Sequence, residues 1–347
     1  MTAPAEQTTD GAQAPVSAPS IDPAATHLVA ELKHTSPLVS CRCDPTGTFV
    51  FAGAQDNTVR RWRFADGEQT ALAGHNSWVR GLALHPAGQT LFTGGYDGRV
   101  IWWEAAAESP VPVRVIEAHA GWVRGIAVSP DGQTLATGGN DHRVRLWSAT
   151  DGAPLSEFSG HASHVYAVAF HPTGAHLVSV DLKGVVKHWD LSTGAEARQL
   201  DASVLYKYDE GFRADIGGAE SIAFSPDGGW LACGGTTNVT NAFAGVGNPV
   251  VALFDWQTGE RRQVHGAKEA YNGVVRGLVF HAQGFLIGAS GGGAGGYLLF
   301  WKPEEPTEFF QLKLANTARD VDLHPDGVRL AVPQFDGVLR VYSMTPV

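Results

Sequence analysis

The chain has 347 residues, with 25 Lys and Arg against 35 Asp and Glu for a formal charge of −10, 44% hydrophobic residues, 42 glycines and 10 tryptophans. That acidic balance excludes a nucleic-acid coat, whose phosphate contacts need clustered Lys and Arg. Cys41, Cys43 and Cys233 offer neither a disulfide framework nor a zinc ligand set, and no uninterrupted apolar run reaches membrane-spanning length.

Residues 1–25 are mostly Ala, Pro, Thr, Ser and Gln, and the first basic residue is Lys33. Such a segment buries too little apolar surface to offset its ordering entropy, which predicts a disordered tail over 1–25 ahead of a single domain over 26–347. It also lacks the charged start of a secretory signal, so the expected location is the cytoplasm.

From His27 onward, short β-rich runs alternate with turn signals. His34 and Trp62 lie 28 positions apart, and the interval recurs at His75 and Trp103, His119 and Trp147, and His161 and Trp189. A proline follows each histidine by 11 positions, and Asp56, Asp97 and Asp141 follow three of them by 22. Within a unit, a strand such as 123–128 ends at the Ser129-Pro-Asp-Gly132 turn. A second runs over 134–137 into a turn at Asp141, a third over 144–147 ends on Trp147, and a fourth leads to the next Gly-His pair. A period of about 40 residues with these markers predicts a β-propeller of four-stranded blades.

With Gly74-His75, Gly160-His161, Trp189-Asp190 and the variant Phe254-Asp255, the chain resembles the Trp-Asp (WD40) repeat family over about residues 26–343. The resemblance implies an all-β, seven-bladed propeller of antiparallel blades. It also implies hydrogen-bonded tetrads, His75, Thr93, Asp97 and Trp103 in one blade and His119, Thr137, Asp141 and Trp147 in the next. The first blade has Ala52 in the Thr slot, and the fourth has Lys183 where Asp is expected. Three further third strands end at Phe254, Trp301 and Tyr342; their histidine slots hold Asp215, Tyr271 and Leu314, so only apolar packing is expected to hold these blades. The seventh lacks a fourth strand, which the run 26–32 should supply, closing the ring and removing its exposed edges.

Position five after the histidine slot reads Val39, Arg80, Arg124, Tyr166, Glu220, Arg276 and Arg319. The resemblance places it at the rim of the central opening. Four guanidinium groups there suit a carboxylate or phosphate, unless Glu220 and Asp320 already pair with them. Trp78, Trp122 and Tyr96 stand at nearby slots, and aromatic and Arg side chains make protein-binding hot spots. Two insertions, one in the long segment 189–215 that carries 205–213 and one over 237–248, belong to the fifth blade and should rise from the same face.

The run Ser290-Gly-Gly-Gly-Ala-Gly-Gly296 lacks the Lys-Ser/Thr of a phosphate loop, and the 14 histidines mostly fill repeat slots without ligand spacing. Neither a catalytic group, a metal nor a cofactor is indicated. The expectation is a non-catalytic scaffold, part of a complex. It binds an acidic or phosphorylated protein segment through Arg80, Arg124, Arg276, Arg319, Trp78, Trp122, Tyr96 and Tyr166, without nucleic acid or membrane. The alternative is an enzyme or binder for a small anion at the central opening.

Overall fold

The computed structural model describes residues 20–241, 246–293 and 295–346. They form seven four-stranded antiparallel sheets and one two-stranded sheet, with no α-helix among the described residues. The third strands end at Arg63, Glu104, Ser148, Asp190, Asp255, Trp301 and Ser343, each at or one residue past the aromatic that closes the repeat.

Alternation inside each strand puts one apolar row on either face, and every face lies against a neighbouring blade. The core is consequently divided into seven clusters, one per seam. Phe51, Leu82 and Trp103 fill the first-to-second seam, Val178, Leu231 and Phe254 the fourth-to-fifth, and Leu38, Trp62 and Leu339 the seventh-to-first.

Ring closure depends on His27–Lys33, which pairs antiparallel with Val338–Ser343 from Leu28 opposite Tyr342 to Lys33 opposite Val338. The turn before that third strand passes so close to the closing strand that Gly337, at φ +83°, would carry a Cβ 2.4 Å from the His34 carbonyl oxygen. Of the tail expected over 1–25, residues 1–19 lie outside the described residues. Pro23–Ala25 makes one 3₁₀ turn, Ile21 packs on the seam between blades 6 and 7, and the Asp22 amide donates to the Met344 carbonyl at 2.8 Å.

Both insertions are β-structure. Tyr206–Asp209 and Ala214–Gly217 form a small hairpin before blade 5, while Trp230–Asn241 and Val246–Asp255 lengthen the second and third strands of that blade. Since the fourth-to-first and second-to-third connections share one end of every blade, both rise at the end where the first strands begin. Lys207 Nζ donates to the Val239 carbonyl at 2.7 Å and joins them.

Candidate functional site

Blades 2 and 3 are each fixed by a relay of side chains. Trp103 Nε1 donates to Thr93 Oγ1 at 2.9 Å, that hydroxyl lies 2.8 Å from His75 Nε2, and His75 Nδ1 lies 3.1 Å from Asp97. A hydroxyl that accepts from the indole can donate to Nε2, which puts the imidazole proton on Nδ1, facing the carboxylate. Trp147, Thr137, His119 and Asp141 repeat the relay at 3.0, 2.8 and 2.8 Å. Burial pushes the Asp97 and Asp141 carboxyls up, but hydrogen bonds from His75 and the Asn76 amide, and from His119 and Arg145, hold both well below the usual carboxylate range.

Two expectations about the blades are corrected. Blade 4 has a complete relay, because Asp181, the last residue of the second strand, lies 3.0 Å from His161 Nδ1, with Ser179 and Trp189 completing it. Lys183 points elsewhere, 3.9 Å from Asp215. Nor do apolar contacts alone hold the later blades. The Tyr271 hydroxyl meets Ser290 Oγ at 2.5 Å in blade 6, and in blade 7 Gln334 bonds Arg340 and Tyr342 while Arg340 reaches Glu31 of the closing strand at 2.8 Å. Polar groups of different chemistry are thus paired inside the later blades, as unpaired ones there would be costly.

At the end where the first strands begin, Arg80, Arg124, Tyr166, Glu220, Arg276 and Arg319 all line the central channel, whose cavity measures about 90 Å³. The arginines are half-buried. Glu220 reaches across to Arg80 at 2.8 Å and sideways to Arg276 at 3.6 Å. Burial pushes its carboxyl up, yet the surrounding Arg80, Arg276, Arg124 and Arg319 keep it below the usual carboxylate range. Arg124 has a different neighbourhood: Nε donates to Asn140 Oδ1 at 2.5 Å and its guanidinium lies 4.2 Å from the Tyr166 ring and 4.8 Å from Trp122. Arg319 has no carboxylate within 4.0 Å among the described residues and lies 5.3 Å from the Phe335 ring. Burial, with Arg276 and Arg80 nearby, pushes it down to about 10.

Beside the channel, Tyr96 is stacked on Trp122 at 4.1 Å and 5° and faces Trp78 at 6.1 Å, with Trp78 41% and Trp122 40% exposed. This aromatic ladder runs from the surface of blade 2 to Arg124 of blade 3. Across the channel Phe335 is also exposed. The sequence pattern brings the four arginines to one opening, but it does not assign their partners. Asn140 orients Arg124, Phe335 faces Arg319, and Asp320 is occupied by Arg42 at 2.9 Å. Among the described residues no group of three His, Cys, Asp or Glu could hold a metal, and no helix is long and apolar enough to cross a membrane.

A ring of seven such sheets, with an indole-to-carboxylate relay in the second, third and fourth, defines a repeat propeller with a cationic, aromatic-edged mouth. Residues 26–63, 67–104, 110–148 and 152–190 match the WD domain, G-beta repeat family, so the first four blades of the seven-bladed ring are WD40 repeats. It is similar to nuclear distribution protein PAC1-1 of Uncinocarpus reesii (41% identity over 20% of this chain and 15% of that protein). It is also similar to nuclear distribution protein nudF of Emericella nidulans (34%, over 23% and 19%) and to PAC1 of Tuber melanosporum (30%, over 26% and 19%). The chain spans less than a fifth of the length of these curated relatives.

Proposed function

We propose that this propeller is a non-catalytic scaffold in a cytoplasmic protein complex, and that its mouth captures an acidic or phosphorylated protein segment. One observation carries the reading: four guanidinium groups at a single opening face one nearby carboxylate, Glu220, in a protein that is acidic overall. Arg80, Arg124, Arg276 and Arg319 supply the charge, and Trp78, Tyr96, Trp122 and Tyr166 supply rigid apolar contact at low entropic cost.

Synthetic peptides differing only in phosphoserine, glutamate or alanine at one position test this. The phosphoserine or glutamate peptide should bind and the alanine peptide should not, and the pair Arg124→Glu and Trp122→Ala should remove binding while the protein still melts cooperatively. Binding retained by that double variant rejects the site. The small size of the channel favours one second reading, a free small anion acted on or held there; such a ligand would raise the melting temperature with no peptide attached.

A further inference from the structure

Formal charges at the channel do not balance. Arg80, Arg124, Arg276 and Arg319 bring four positive charges against the one of Glu220, leaving three, and Arg42 is already neutralised by Asp320. The hydrogen bonds do not balance either. Nε of Arg276 and Nε of Arg319 are buried without a partner, and so is the hydroxyl of Ser40, which lines the same channel. Buried donors are normally satisfied, so several orphans around one cavity mark a place for an acceptor. Glu220 does not fill that role, since it faces Arg80 and the NH1 side of Arg276.

We propose that the channel holds one tetrahedral oxyanion, a phosphoryl or sulfate dianion, between Arg276 of blade 6 and Arg319 of blade 7. This rests on the reading of the mouth as an acid-binding surface and gives that acid its chemistry. A carboxylate offers two oxygens confined to one plane, whereas a tetrahedral group presents acceptors on several sides and can meet the unpartnered Nε edges of two arginines from different blades together. The charges agree: a monoanion leaves two positive charges uncompensated, a dianion one. The cavity of about 90 Å³ admits a single such group. It is far below the roughly 300 Å³ at which pockets for larger organic ligands begin, so a larger ligand would leave most of its bulk at the open mouth. Because Arg276 and Arg319 come from adjacent blades and blade 7 closes the ring, the bound anion also fastens the propeller where its chain connectivity is weakest.

The full chain is titrated calorimetrically with inorganic phosphate, sulfate and acetate at constant ionic strength in chloride, and melted in each. Phosphate and sulfate should bind at least tenfold more tightly than acetate and raise the melting temperature by about 3 °C or more near saturation. Arg319→Gln, and separately Arg276→Gln, should weaken phosphate at least tenfold, while Arg262→Gln on the outer strand of blade 5 should leave it unchanged. Equal binding of acetate, or phosphate binding indifferent to both channel substitutions, overturns the proposal; melting in acetate verifies that each variant is folded. Competition with a phosphoserine peptide separates the two sources of the oxyanion. Free phosphate bound but not displaced by the peptide means a resident ion, and then the partner reading fails while the oxyanion site stands. A glutamate peptide captured where phosphate has no effect means the reverse.

Discussion

Thr93 and Thr137 sit at the middle of their relays, each touched by an indole and an imidazole. Thr93→Val keeps the shape but leaves Trp103 Nε1 and His75 Nε2 buried without partners, so it should cost about 2 to 4 kcal/mol in urea unfolding. Val at Ala136, which lies beside Thr137 in the next blade and has no polar role, gives no such signature beyond crowding, and a Thr93→Val variant of unchanged stability would show that the relay is dispensable. The His, Thr, Asp and Trp places in these two blades were readable because spacing along a pleated strand fixes which side chains meet. Asp181 escaped because its carboxylate comes from the strand rather than from the turn two positions on. Tyr271 with Ser290, and Gln334 with Arg340, escaped because their chemistry differs and because Ser290 and Gln334 stand two residues beyond the hydroxyl slot, which holds Gly288 in blade 6 and Val332 in blade 7.

Between blades 4 and 5 a histidine cluster packs on Trp256: His171 is stacked on the indole at 5.0 Å, His188 lies 4.5 Å from it, and His176 lies 4.7 Å from His188. Both ring nitrogens of His188 are buried without partners. Burial first, then His176 and Arg198, push it down to about 4, against a weak opposing pull from Asp190. The folded value lies below the ordinary imidazole value of about 6.5, so the neutral ring's contribution is present above that pH and drains away as pH falls from there through about 4. His188→Phe should therefore flatten the fall in melting temperature between pH 6.5 and 4; an unaltered slope would contradict the assignment. The closing strand makes a second prediction at this scale. Removing residues 1–25 takes away the Asp22 hydrogen bond and the Ile21 contact, whereas removing 1–33 also bares Val338–Ser343. The second truncation should lower the melting temperature several-fold more than the first, and equal losses would mean that the ring closes by other means. That strand was legible from the missing fourth strand of blade 7, while the hairpins of blade 5 were legible only as surplus length, since nothing in a loop's composition sets how far its strands zip.

Across the whole ring, stability is divided among seven seams, and acid attacks them in sequence. His188 acts in the window just described. Asp97 and Asp141, held below the usual carboxylate range, keep their contribution above about pH 4 and lose it as pH falls further. Acid unfolding followed by circular dichroism should consequently steepen below pH 4 in the native protein, and Asp97→Asn with Asp141→Asn should remove that lower component while leaving the upper one. The number of blades and the residues facing the channel followed from repeat arithmetic. The distribution of partners among the arginines did not, because contacts across a channel join residues as distant in sequence as Arg80 and Glu220. Since Asp22 and Met344 touch through their main chains, a short peptide could splice the ends together and the polypeptide could be cut instead in any surface loop between two blades. Such rearranged variants would exchange a closure held by hydrogen bonds for a covalent one, and comparing their unfolding rates would show which seam gives way first.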